Sequence, residues 1–515
     1  MSQPSKLDHY FFRAFTALSL LAAFPAAAAA PIPATHAALR SAGPLTKNGY
    51  VNYVAKFNQR FGKGVTASNN AAVPLVILFR PDSFQDSTTK VVAGKVIYVP
   101  DKNYGREMRR RLGISKRDLT GPRFVSYQKF RRHADAAAVA QDLGLAGNLP
   151  PAPPYTPARL YEHAWAANTH PWTAAFLNAN AGALDIARTA FARPRFFLPL
   201  VEPAGGDHRM ATAVGSILPA LAPAKAICNG LAAQAMLALH QGRPRRCRRD
   251  LLAIHRLARL LTREHFLITN LIAMSIETMG CQADIAMANS HKLSSEALHN
   301  YVNQLLALPR PTSVAAAIDT GERWITLDVL QHASPNLAAL FGFAAPRKPA
   351  KPLNGAQRAA ALASLNGLFD HVVKIFAIRN YRQRALASQH ALALWQHEKM
   401  PGGIPFLFIV KTQVRTIATT ARYAALRRLD RLSLALAAYL EVHQVFPRRL
   451  SELAPKFLPA IPHDPFTNKA FEYTIGPHGC TLRSPAEFVP PINPGVVPMY
   501  SRPIIVHLSR LAPKK

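Results

Sequence analysis

The stretch AICNGLAAQAMLALHQGRPRRCRRDLLAIHRLARLLTREHFLITNLIAMSIETMGCQADIAMA constrains the chain most. Leu251, Ile254, Leu257 and Leu261 recur at i, i+3, i+6 and i+10, the period of one helix face. Gly242 and Pro244 punctuate it, with Gly past one helix and Pro opening the next. Paired antiparallel helices of this length predict a mainly α chain, either a multi-helix bundle or a solenoid-like array. No fixed period supports a named repeat. With 515 residues, 49% of them hydrophobic, a large core is available.

Composition and breaks divide the chain. Residues 1–30 read as a signal peptide: Lys6 and Arg13 precede an apolar run from Ala14 to Phe24, and Ala26–Ala30 supplies small residues for cleavage. A cleaved signal is favoured over a membrane anchor, because Pro25 interrupts a run short of strongly apolar residues. The expected localisation is therefore exported: periplasmic, cell-envelope or secreted. No later segment is expected to span a membrane. Residues 31–147 form a mixed N-terminal region in which PLVILF (Pro74–Phe79) and KVIYVP (Lys95–Pro100) look β-like. A Pro-rich break at 148–157 leads to a central helical domain, 158–344. After a second break at Ala345–Gly355 comes a helical region, 356–443. Residues 429–485 are expected to form a small α+β head, and 486–515 a Pro-rich tail with little core.

In the head, Leu429, Leu432, Leu436, Tyr439 and Leu440 line a helix face that stops near His443, ahead of Pro447. RRLSELAPKFL makes a short turn, with Ser451 as expected N-cap, DPFTNK a tighter one, and AFEYTI a strand. Tyr439, Phe446-Pro447, Leu450, Leu453, Pro455, Leu458, Pro462, Asp464-Pro465-Phe466, Lys469 and Tyr473 together resemble the head of the major pseudopilins of type II secretion. That resemblance implies a helix feeding a small sheet. The prepilin N-terminus of those proteins is missing, and the stretch matching their calcium loop holds only Glu487 as an acid, so neither a pilus subunit nor a calcium site is implied. Much of the rest, including Tyr53–Ala72, His170–Leu200 and Gly321–Asp328, resembles large exported bacterial proteins of the planctomycete kind that end in this head. No activity comes with that resemblance.

Acids are scarce, so those within apolar helices stand out: Asp185, Asp250, Glu277, Asp284, Glu322 and Asp328. Glu277 and Asp284 share a helix face. Brought together with Glu322, they would provide the acid and base of a hydrolase; neutralised by arginines, they would be structural ion pairs. No Walker loop, G-x-G-x-x-G, nucleophile elbow or H-E-x-x-H is present. His240, His255, His265 and His291 lack a Glu-x-x-His pattern, so neither a metal nor another cofactor is expected.

The formal charge of +34 favours anionic partners. Candidate anion-binding residues are Arg243, Arg245, Arg246, Arg248 and Arg249, with Arg109, Arg110 and Arg111. Few aromatics accompany them, which disfavours nucleic acid and leaves anionic lipid or polysaccharide as partner. A solvated face is the plainer account. Of the four cysteines, Cys228 and Cys247 would lie roughly 20 Å apart on a hairpin at 1.5 Å per residue, whereas Cys281 falls late in the next helix, level with the end where Cys247 starts, so Cys247–Cys281 is the expected disulfide. The functional expectation is a non-catalytic envelope or periplasmic scaffold, possible partners being secretion-apparatus or other envelope proteins.

Overall fold

The computed structural model describes residues 43–79, 87–92, 95–100, 102–145, 149–153, 159–202, 210–332, 354–395, 397–398, 406–485, 487–489 and 499–510. The signal-like segment and most of the second Pro-rich break lie outside the described residues. The chain is mainly helical, with a small three-stranded antiparallel sheet at its C-terminal end.

The N-terminal region carries α1 (Tyr53–Phe61), α2 (Ala72–Phe79), the hairpin β1 (Ser87–Val92) and β2 (Lys95–Pro100), α3 (Lys102–Leu112), α4 (Tyr127–His133) and α5 (Ala136–Asp142). KVIYVP is a strand, as its pattern predicts, but PLVILF is not: it completes α2. Asn70 Oδ1 accepts the Ala72 N–H at 3.0 Å and starts the helix, Pro74 sits in its tolerant first turn, and nearly every side chain is buried. A short, wholly apolar run has no period that separates a buried strand from a buried helix.

Next come α6 (Pro171–Ala179), α7 (Ala181–Ala190), α8 (Met210–His240), α9 (Pro244–Leu261), α10 (Leu267–Ala288) and α11 (Ser295–Ala307). Gly242 adopts φ 71° and Pro244 opens α9, so the hairpin turns where its punctuation falls. Leu251, Ile254, Leu257 and Leu261 are all fully buried. Then α12 (Val314–Ala317), a π turn (Ile318–Glu322) and α13 (Arg323–Gln331) run on as one rod. After Asn354, which caps Gln357 in a reciprocal capping box, follow α14 (Gly355–Ala377), α15 (Tyr381–Trp395) and the long α16 (Phe406–His443). The centre is a bundle in which α10 packs between α9 and α16, with α8 and α11 alongside. One described helix, α14, is long and apolar enough to cross a membrane by length and composition, contrary to expectation; half of its apolar window is buried in the protein, against α13 and α15.

Beyond α16 the turn chemistry follows the sequence closely. Asp464 Oδ1 accepts the Phe466 N–H at 2.7 Å, and Asn468 adopts φ 57°. The short 3-10 turn Leu450–Leu453 is capped differently: Glu452 reaches back to the Arg449 N–H at 2.7 Å, and Ser451 lies inside the turn. Strands β3 (Glu472–Gly476) and β4 (Gly479–Ser484) pair as a hairpin, and β5 (Glu487–Val489) pairs with β6 (Met499–Ser501). The tail does have a core. Strand β7 (Ile504–Ser509) adds to β4, Cys480 facing Leu508 and Leu482 facing Val506, and buries Ile504, Val506 and Leu508 in strict alternation. The prolines around it obscured a clear period-2 pattern.

The π turn brings Gly321 against the chain before α10. A Cβ there would lie 2.3 Å from the His265 carbonyl oxygen and 2.8 Å from Phe266 Cδ1. Gly321→Ala is therefore expected to destabilise by about 1–3 kcal/mol. Gly367→Ala, in an open position of α14, should be neutral or stabilise by about 0.5–1 kcal/mol. Denaturant midpoints of the two variants test the difference.

Candidate functional site

Three helices bring their polar stripes to one point in the bundle. On α10, Glu277, Cys281 and Asp284 follow i, i+4 and i+7. On α9, His255 and Arg259 are one turn apart. On α16, Tyr423, Arg427 and Asp430 repeat the i, i+4, i+7 spacing. A fourth helix, α11, adds Tyr301.

The contacts are close. His255 Nε2 lies 2.8 Å from Asp284 Oδ2, and Tyr301 Oη donates to Asp284 Oδ1 at 2.8 Å. Arg259 donates through Nη1 to Glu277 Oε2 and to Tyr423 Oη at 3.0 Å. His255 Nδ1 and Glu277 Oε1 are 3.3 Å apart without meeting in hydrogen-bond geometry. Arg427 Nε stands 3.7 Å from the same Glu277 oxygen. Gly280 lets the imidazole lie flat on α10: a Cβ there would fall 2.9 Å from His255 Cε1.

Glu277, Asp284, His255 and Asp430 are each no more than 1% exposed, so electrostatics dominate their chemistry. Burial alone would lift the Glu277 carboxyl, but Arg259 and His255 outweigh it and bring it down to about 2. Burial would likewise lower His255, yet Asp284 and Glu277 push it up to about 10. Among the described residues Asp430 makes no ion pair: burial, reinforced by Asp284, raises its carboxyl well above the usual range. Both of its carboxylate oxygens lack a hydrogen-bond partner among the described residues. A ring nitrogen of His255, a carboxylate oxygen of Glu277 and Cys281 Sγ lie within 4.8 Å of one another.

Of the three candidate acids, Glu277 and Asp284 therefore converge and Glu322 does not. Glu322 caps the start of α10, accepting the Leu267 N–H at 3.2 Å. That is ten residues, or roughly 15 Å of helix, before Glu277. Asp250 pairs with Arg188, which also holds Asp185, and Asp328 accepts the Met210 N–H at 2.6 Å. Arg323, the next residue after Glu322, binds Asp319 and Asp370. The expected Cys247–Cys281 disulfide is not formed: all four cysteines are buried free thiols, and Cys281 turns toward His255 and Glu277. Sequence reasoning pairs Glu277 with Asp284, and it brings up His255 and Cys281 only in other roles. It missed Arg259, Tyr301, Tyr423, Arg427 and Asp430, although the second i, i+4, i+7 polar stripe in an apolar helix was a usable signal.

The basic clusters divide. Arg243, Arg245 and Arg249 are exposed at the start of α9, whereas Arg246 stands 4.0 Å from Asp185 and Arg248 donates to the Ala297 carbonyl at 3.1 Å. Arg110 and Arg111 are tied to Glu107, and Arg109 is half-buried. A surface cleft of about 470 Å³ lies elsewhere, lined by Phe61, Arg195, Arg263 and His265 among others, with no carboxylate in its wall among the described residues.

The chain matches no protein-family model, no curated protein and no solved structure.

Two outcomes follow from this geometry. Arg259→Met leaves Glu277 without its closest cation in a dry core and should cost about 3–5 kcal/mol in unfolding free energy, read by denaturant titration. Glu322 gives a pH dependence. Burial raises its carboxyl to about 7, with only the Leu267 N–H acting against it. Between the unfolded value of about 4.5 and about 7 the folded state then holds more protons, so stability falls as pH rises through that window. Partial exposure of the residue limits the effect to about 1–3 kcal/mol. Glu322→Gln, which keeps the acceptor, should flatten the slope of the unfolding free energy over that range.

Proposed function

We propose that the protein is an exported, non-catalytic scaffold or interaction protein of the cell envelope or periplasm, whose C-terminal α+β unit works as a pseudopilin-like docking module. One observation carries the reading: Glu277 and Asp284, the acids that do converge, are sealed from solvent and engaged by Arg259, His255 and Tyr301. A hydrolase needs its acid and base within reach of a substrate and a water; these two reach neither. The signal-like first 30 residues support export. The helix-to-sheet passage at Tyr439–Ser484, with its Asp464 turn, supports the docking module.

A second reading, binding of anionic lipid or polysaccharide, draws on the exposure of Arg243, Arg245 and Arg249 in a chain of formal charge +34. Such binding must weaken as ionic strength rises.

Ile475 and Ile505 are large apolar side chains left exposed on β3 and β7, so the sheet can be altered without touching the core. Cross-linked pull-down of the tagged chain from its native envelope should recover a defined set of envelope proteins. The Ile475→Lys, Ile505→Lys double variant should lose them while its thermal unfolding stays within a few degrees of the parent. Salt-released lipid or polysaccharide without protein would favour the second reading, and recovery of the chain alone would contradict both.

A further inference from the structure

The centre of the bundle contains polar atoms whose hydrogen bonds are not made. His255 Nδ1 and Glu277 Oε1 face each other at 3.3 Å outside hydrogen-bond geometry, and both oxygens of Asp430 lack a hydrogen-bond partner among the described residues, although all three residues are essentially fully buried. Unsatisfied polar atoms in a dry core cost about 1–3 kcal/mol each, so several around one point call for an occupant. The Glu277 and Asp430 oxygens are acceptors, and Nδ1 offers a lone pair to a cation once its proton is released.

We propose that His255 Nδ1, Glu277 Oε1 and Cys281 Sγ bind a divalent transition-metal ion of the zinc class.

The geometry is suited to it. A tetrahedral ion with bonds of about 2.0 Å separates its nitrogen and oxygen ligands by roughly 3.3 Å, and His255 Nδ1 stands 3.3 Å from Glu277 Oε1. Cys281 Sγ belongs to the same knot, within 4.8 Å of the other two ligand atoms. Glu277 and Cys281, one helical turn apart on α10, face His255 across the α9–α10 seam.

The surroundings resemble those of metal-bound histidines. Asp284 holds Nε2 at 2.8 Å, which places a proton on that nitrogen and turns the Nδ1 lone pair toward Glu277. Tyr301 fixes the other Asp284 oxygen. Arg259 takes Glu277 Oε2 and leaves Oε1 for the ion; Arg427, 3.7 Å away, is beyond hydrogen-bond length. Glu277, Asp284 and Asp430 bring three carboxylates to this region against the guanidinium groups of Arg259 and Arg427. Binding releases the Cys281 thiol proton and the Nδ1 proton, so one divalent ion takes the place of two protons.

The test uses the full chain produced in medium supplemented with Zn²⁺ or, separately, Co²⁺, then dialysed against metal-free buffer. Elemental analysis should find about one equivalent of zinc per chain. The cobalt form should show tetrahedral visible bands with a thiolate-to-cobalt charge-transfer absorption. Cys281→Ser should abolish the charge-transfer absorption, while Cys228→Ser, on α8 and outside the ligand group, should leave it intact. Asp284→Asn, acting through His255 as a positioning residue, should weaken metal retention about 10–100-fold against a competing chelator. Wild-type chain that retains no metal would overturn the proposal without recourse to any variant. So would a charge-transfer band that survives in folded Cys281→Ser.

Discussion

The ion network around His255 is the constraint on which the bundle depends. Glu277 and Asp284 on α10 are held by His255 and Arg259 on α9, by Tyr301 on α11 and, through Arg259, by Tyr423 on α16. Buried charges contribute little net stability compared with a well-packed apolar core, because desolvation offsets their attraction. They do penalise misplacement. A shift of α10 by one residue relative to α9 would turn both acids away from their cations and strand them in a medium that cannot solvate them. The Leu, Ile and Ala side chains around the network would tolerate several registers; the network accepts one. It thereby ties residues near 255, 280, 300 and 425 into a single unit spanning the central domain and the helical region after the second break.

That unit accounts for how the two expected domains meet. Residues 158–344 and 356–443 read as separate helical blocks because a Pro-rich segment divides them. Yet α16 packs on α10 and α11, and its buried face joins one continuous core with the rest. The C-terminal sheet is connected to the same body: Asn289, at the end of α10, donates to the His507 carbonyl at 2.8 Å and accepts the Ser509 N–H at 2.9 Å. The β3–β4–β7 sheet is thus tied to the end of α10.

Local rules made much of this legible. The α8–α9 turn, the apolar stripe of α9, the end of α16 and the Asp464 turn follow from neighbouring residues alone. The same-face placement of Glu277 and Asp284 follows from a spacing of seven. What escaped depends on distant parts of the chain. Arg259 could be seen as a helical arginine, but its pairing with Glu277 depends on how α9 and α10 dock. Asp430 enters the site from more than 140 residues beyond Asp284. Glu322 shares a residue type with Glu277 but is assigned to a backbone N–H by the π turn, which no local propensity announces. The Cys247–Cys281 inference assumed level thiols; rotation about the helix axes sends Cys281 into the polar knot instead.

The most direct test of the network as a structural keystone is backbone amide hydrogen exchange of the full chain carrying Glu277→Gln, mapped by peptide against the parent. If the network fixes the register of the bundle, protection falls together in α9, α10 and the Tyr423–Asp430 segment of α16, while α1 and α2 keep theirs. Loss confined to the peptides flanking residue 277 would contradict the account, because the helices would then be held by apolar packing alone.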